Sequence, residues 1–179
     1  MTRFVPFRLA AVCLLLGSVA RGEPREIPTG GFASTIEVVL PGAPETIYDA
    51  ISGDIGGWWD HTFSGKPARF FIEARPGGGF YEYFDAEGKN GVLHATVIYA
   101  ERGKLLRFRG PLGLSGNALD LVVTYGLEPS GPDSTRLAVT VDAAGHMEPG
   151  WPEVVDGVWK HFILDRFKPY VEAGKHLGR

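Results

Sequence analysis

Thiols are almost missing from this chain: the one cysteine, Cys13, lies inside a short apolar run near the start. Beyond that run no residue remains for a disulfide, a cysteine nucleophile or a thiolate metal site. Basic clusters are equally scarce. The balance of 18 Lys and Arg against 21 Asp and Glu gives a formal charge of -3 with no basic run, which sets nucleic acid and anionic membrane surfaces aside as partners. No segment after the first apolar run is long and apolar enough to cross a membrane, a task that takes about 20 residues. The signatures of common chemistries are also missing. None of His61, His94, His146, His161 and His176 pairs with another at the spacing of a helical zinc motif, so neither a metal nor another cofactor is expected. Gly113-Leu114-Ser115-Gly116 lacks the second spacer of a nucleophile elbow. Ser64-Gly65-Lys66-Pro67 lacks the upstream glycine of a phosphate loop.

What is present at the start reads as a targeting segment. Arg3 and Arg8 precede the apolar run Leu9 to Ala20, which ends in small residues suited to cleavage. We therefore expect a signal peptide over residues 1–22, a flexible leader over 23–33 rich in Pro and Gly, and one domain over 34–175. Export to the periplasm or the medium follows. Ala11-Val12 before Cys13 does not match a lipoprotein acceptor, so no lipid anchor and no membrane insertion after cleavage are expected.

Within the domain, alternation predicts a strand over Thr35 to Leu40, and Pro44 opens a short helix through Ile51 that Gly53 ends. A second helical turn is expected over Ile55 to Trp59. Strands follow at Ala68 to Ala74, Gly79 to Phe84, Gly91 to Ala100, Leu105 to Arg109, Ala118 to Leu127 and Thr135 to Ala143, with almost no helical period between them. In Arg75-Pro76-Gly77-Gly78-Gly79, Pro presets one dihedral and Gly supplies a positive φ, so the first two of these strands form a hairpin. A long helix from Pro152 to Glu172 closes the chain, apolar around Val155, Trp159, Phe162, Ile163 and Tyr170, and Pro169 disturbs its last turn.

This order is an α+β arrangement: a curved antiparallel sheet wrapped around one long C-terminal helix, with two short helices after the first strand. Residues 35–174 resemble the START-like superfamily of polyketide-cyclase and lipid-transport domains, also known as SRPBCC, and within it homologues of the activator of heat-shock protein 90 ATPase. The likeness is carried by Ala43-Pro44-Glu45-Thr46-Ile47-Tyr48, Trp58-Trp59, Pro76-Gly77-Gly78 before an aromatic strand, Gly91, and Leu105-Leu106-Arg107-Phe108. It implies a helix-grip fold with a cavity between sheet and helix. The chain departs from that family in having Glu101-Arg102-Gly103-Lys104 where a proline is common, and in its export signal, which argues against work on a cytosolic chaperone.

The concave face is expected to carry Tyr81, Tyr83, Phe108 and Tyr125 opposite Trp159 and Phe162, with Trp58 and Trp59 at the entrance. These aromatics either line a cavity or fill a core. Alternation alone does not separate the two, and the resemblance favours the cavity. Glu73 and Glu82 are expected to face outward, and His94 shares the wet face with Thr96. Asp60-His61, beside the tryptophan pair, is the most suggestive proton-transfer candidate. The expected function is binding of a small apolar or amphipathic molecule by Trp59, Tyr81, Tyr83, Phe108, Tyr125, Trp159 and Phe162. The alternatives are a cyclase- or hydrolase-type enzyme using the same cavity, and a protein-binding, co-chaperone-like module.

Overall fold

Alternating apolar side chains over long stretches can be buried only if one face of a sheet is covered, and the chain does this with its last helix. A computed structural model describes residues 24–178. The expected signal peptide and Cys13 lie outside them. Strand β1 (Thr29–Pro41) is followed by helix α1 (Pro44–Ile51) and then by β2 (Gly53–Asp54), β3 (Arg69–Ile72) and β4 (Gly79–Tyr83). Next come β5 (Gly91–Glu101), β6 (Leu105–Gly110), β7 (Leu119–Gly131) and β8 (Ser134–His146). All eight strands form one antiparallel sheet in the order β1-β8-β7-β6-β5-β4-β3-β2. Strands β2 to β8 are sequential neighbours, whereas β1 pairs with β8 at the far edge, so α1 carries the chain across the concave face.

Strand β1 starts earlier than the alternation of Thr35 to Leu40 indicates: Thr29 already pairs with His146 and Gly31 with Ala144. Residues 29–33 therefore belong to the sheet. Gly30 and Gly31, read in the sequence as leader, fit because β8 supplies a complete backbone partner there. A Cβ on Gly31 would sit 2.8 Å from the Ala143 carbonyl oxygen.

The β3–β4 hairpin follows its turn chemistry. The Gly78 N–H donates to the Arg75 carbonyl at 2.8 Å, with Pro76 and Gly77 at the two central positions and Gly77 at φ 77°, as a type II turn requires. The second short helix expected after β1 is a single turn, in which the N–H groups of Trp58 and Trp59 both donate to the Ile55 carbonyl.

The C-terminal helix runs as α2 (Trp151–Lys160), a π-helical segment (His161–Phe167) and α3 (Lys168–Glu172). Pro169 gives the reason. In α winding its ring would meet the Asp165 carbonyl and leave it without a donor, whereas the wider π turn relieves that crowding. Accordingly the Lys168 N–H reaches back to Ile163 rather than to Leu164. The helix buries Trp159, Phe162, Ile163, Phe167, Tyr170 and Val171 against the sheet, each worth roughly 1.5–3 kcal/mol of transfer free energy before entropy is counted. This is the helix-grip fold.

Candidate functional site

The helix does not fill the sheet along its whole length. Under α2, where the sheet narrows to β3, β4 and β5, a cavity of about 380 Å³ remains. Its walls are Phe70, Phe80 and Leu121 from the sheet, Val158, Trp159 and Phe162 from the helix, and the 3-10 turn Leu112–Leu114 after β6. Leu112 is held at φ 50°, a left-handed conformation that bulky residues adopt only under constraint. Its side chain is buried at the cavity wall.

Trp59 closes one end. Its ring stacks on Phe162 with centroids 3.9 Å apart and meets Phe80 and Trp159 edge-on. The indole N–H donates to the His61 carbonyl at 3.0 Å, which ties the ring to its own loop. Trp58 points the other way, packs on Phe167 and is buried, so of the tryptophan pair expected at the entrance only Trp59 reaches the cavity.

A buried polar pair lies beneath the apolar wall. Glu82 is fully buried and His94 nearly so, and the His94 Nε2 lies 3.2 Å from Glu82 Oε2. Glu82 also accepts from the N–H groups of Phe63 and Ser64 at 2.9 and 2.8 Å and from the Ser64 hydroxyl at 2.7 Å. Burial pushes the Glu82 carboxyl up, yet these hydrogen bonds outweigh it and hold the group below its ordinary range. For His94 burial dominates: it lowers the imidazole against the opposing pull of Glu82 and the Leu112 backbone. A carboxylate facing a neutral ring follows, with Nε2–H donating to Glu82. His94 also lines the cavity, so it offers an oriented polar group to whatever sits there.

Both members of this pair depart from the sequence expectation, which turned Glu82 and His94 to solvent. For Glu82 the cause is the face of β4, whose regular alternation presents Phe80 and Glu82 rather than the tyrosines to the helix; for His94 it is a bulge. Phe80 pairs with Ala95 and Tyr81 with Leu93, leaving His94 as an extra residue on β5. Such an insertion reverses the side-chain parity of the strand from that point. His94 and Ala95 therefore both face inward.

The same correction applies to two of the proposed ligand contacts. On β4 the inward residues are Phe80 and Glu82, while Tyr81 and Tyr83 stack on each other on the outer face beside Phe71. Phe108 and Tyr125 do face inward, but they lie in the packed core rather than on the cavity wall. Trp59, Trp159 and Phe162 are at the cavity. Sequence reasoning missed Phe70, Phe80 and Glu82, which the alternation from Ile72 across the hairpin could have placed inward, and it missed His94, for which no periodic signal exists.

At the cavity mouth, loop and helix are joined by charged groups. Asp60 Oδ2 lies 3.0 Å from His161 Nε2 and 3.1 Å from Arg166 Nε. His61 lines the cavity and stacks on His161 with ring centroids 5.4 Å apart. Partial burial raises the Asp60 carboxyl, but its hydrogen bond to His161 and the neighbouring charges hold it below the usual carboxylate range.

No protein-family model matches the chain, and no curated protein is similar to it. Solved structures are. An uncharacterized protein from Rhizobium leguminosarum superposes with a TM-score of 0.62 at 16% identity, over 83% of this chain and 99% of that one. A protein from Chromobacterium violaceum gives 0.55 at 21% identity, over 78% and 96%. An Aha1 dimer from Colwellia psychrerythraea gives 0.48 at 17% identity, over 80% and 98%. Likeness at these identities speaks to the fold alone. Among the described residues no helix is long and apolar enough to cross a membrane.

Proposed function

We propose that the domain binds a small apolar or amphipathic molecule between its sheet and C-terminal helix, and that the chain is exported to the periplasm or the medium to do so. The observation that carries this reading is the cavity of about 380 Å³. That volume falls within the range of small-molecule sites, roughly 300–1,000 Å³. Its walls are aromatic and aliphatic, and the polar side chains on them are few: His61, Thr62 and His94 besides the tied indole of Trp59. A ligand with an apolar body and one or two polar atoms fits that lining. Sequestration or carriage is the activity that follows.

Native mass spectrometry of the chain purified from its exported fraction tests both parts. A reproducible extra mass that disappears on denaturation is expected, and Val158→Trp, which fills the cavity from α2, should abolish it. A bare mass together with no displacement of an apolar fluorescent dye by any extract of the envelope would reject the binding role. A chain that keeps residues 1–22 and stays in the cytoplasm would reject the export.

The Glu82–His94 pair favours a second reading, a cyclase- or hydrolase-type enzyme in the same cavity. The ring is oriented by Glu82 at Nε2 and by the Leu112 backbone, and proton transfer to a bound molecule requires that molecule to take the place of the Leu112 backbone partner. The sequence pointed instead to His61 or a cavity tyrosine, but Tyr81 and Tyr83 face outward and the Tyr125 phenol is held neutral by burial. On this reading His94→Gln removes turnover of the bound molecule while leaving its retention intact. Unchanged turnover would exclude His94 as the base.

A further inference from the structure

The histidines at the cavity mouth come from different parts of the chain, His61 from the loop before β3 and His161 from the start of the π-helical segment, yet they converge on one carboxylate. Ligating atoms of Asp60, His61 and His161 all lie within 4.8 Å of one another. We propose that Asp60, His61 and His161 bind a divalent first-row transition-metal ion at the cavity mouth.

Four features of the geometry carry this. Two imidazoles and one carboxylate are the donor set that zinc and its neighbours in the series accept. The spacing is close to what such an ion imposes: ligand bonds of about 2.0–2.2 Å in a tetrahedron put neighbouring donors roughly 3.3 Å apart. His161 Nε2 already stands 3.2 Å from Asp60 Oδ1 and 3.0 Å from Oδ2. His61 Nε2 is farther out, 4.0 Å from Oδ1, and its side chain is 55% exposed, so it can close that gap by rotating.

The outer partners are also in place. His161 Nδ1 lies 3.4 Å from Asp165 Oδ2, the carboxylate–imidazole arrangement that fixes a ligating ring with its other nitrogen toward the ion. Arg166 Nε lies 3.1 Å from Asp60 Oδ2 and donates to the Trp58 carbonyl. It therefore occupies one carboxylate oxygen and leaves Oδ1, the atom nearer His61, as the ligand. Its positive charge also opposes a cation, so the affinity falls below that of a buried structural site. Three protein donors leave at least one coordination position for water or an exogenous group, as in sites that act on a ligand rather than only hold a fold.

Titration calorimetry of the full chain, without a histidine tag, against zinc chloride tests the proposal, with the visible absorption of the cobalt(II) complex as a second readout. One ion per chain is expected, with cobalt bands of low coordination number. Asp60→Asn and His161→Gln should each weaken zinc at least tenfold, and Asp165→Asn about tenfold through ring orientation alone. His61→Ala guards against variants that fail to fold, because this side chain contributes only ring contacts and its 4.0 Å approach to Asp60. It too should lose at least tenfold. Absence of saturable zinc binding, or affinity unchanged by His61→Ala and Asp60→Asn, overturns the proposal. Loss of the bound small molecule with zinc binding retained would strike the cavity reading alone.

Discussion

Strands β7, β8 and β1 each run 13 residues. β1 pairs with β8 without interruption from Thr29↔His146 to Pro41↔Ser134. At the other end of the sheet β2, β3 and β4 have 2, 4 and 5 residues, and register breaks interrupt β5 on both sides. The long strands present Val123, Leu127, Leu137, Val139 and Val141 to a closed core, and only Leu121 of β7 reaches the cavity. The short ones surround the cavity and the Glu82–His94 pair. One half of the sheet is thus regular and dry, and the other trades regularity for a polar group, an open volume and a charged rim.

The largest test of that contrast removes Glu82. Its carboxylate serves Phe63, Ser64 and the buried His94 at once, so Glu82→Ala removes several hydrogen bonds to a charged group, each worth about 1.5–3 kcal/mol when not replaced by water, and should cost about 3–5 kcal/mol in urea unfolding. It should also release the loop that bears Thr62 and Phe63, two cavity-lining residues. A loss under about 1 kcal/mol would mean that water replaces the carboxylate and that the irregular half is not internally tied.

Truncation of apolar side chains should separate the halves next. Leu137 is fully buried among close-packed neighbours, and Leu137→Ala should cost about 2–5 kcal/mol because a new void opens. Leu114 lines space that is already empty. It has fewer contacts to lose on that side, so Leu114→Ala should cost less than about 1 kcal/mol and enlarge the cavity. Equal costs would mean that the cavity collapses around its lining.

Acid should act on the irregular half first. The His94 imidazole is lowered from 6.5, so below that value the unfolded chain binds a proton that the native chain refuses, and stability falls as pH falls toward the native value. Glu82, lowered from 4.5, adds a second loss in the same direction at lower pH. Denaturant midpoints measured near neutrality and at about pH 5 should therefore differ more in the native sequence than in His94→Gln. A rise in stability on acidification would mean that the pair is an imidazolium–carboxylate bridge.

The same division explains what could be read from the chain. In β7 and β8 strict alternation gave the inward residues correctly over Leu119 to Leu127 and Leu137 to Ala143, because the one register break of this pair falls beyond them, between Pro129 and Gly131. The Pro76-Gly77 turn and the Pro44 helix start were legible because proline and glycine fix dihedrals locally. Around the cavity the same rule failed. One extra residue at His94 reverses parity, and no residue type in Val92-Leu93-His94-Ala95 announces it. Glu82 turns outward in the sequence reading because the alternation of β4 is set there with Tyr81 and Tyr83 on the concave face. Only backbone donors 18 and 19 residues upstream, on a loop without period, make its burial tolerable. The meeting of Asp60 with His161 spans 101 residues, and no spacing rule reaches that far.

The smallest effect belongs to the regular half and carries the opposite sign. Tyr125 is fully buried between β6 and β8, opposite Leu106 and Val139, with its ring edge-on to Phe108 at 5.3 Å. Among the described residues its hydroxyl has no hydrogen-bond partner, and burial holds the phenol well above its ordinary range. A buried donor without a partner costs free energy that its ring packing must offset. Tyr125→Phe keeps the ring and deletes only that cost, so thermal and urea unfolding should show a gain of up to about 1 kcal/mol. The gain should leave ligand retention unchanged, since Tyr125 is not on the cavity wall. A loss of stability would show that the hydroxyl is satisfied in solution. A loss of ligand would join the two halves, by making the core beneath β7 an extension of the cavity.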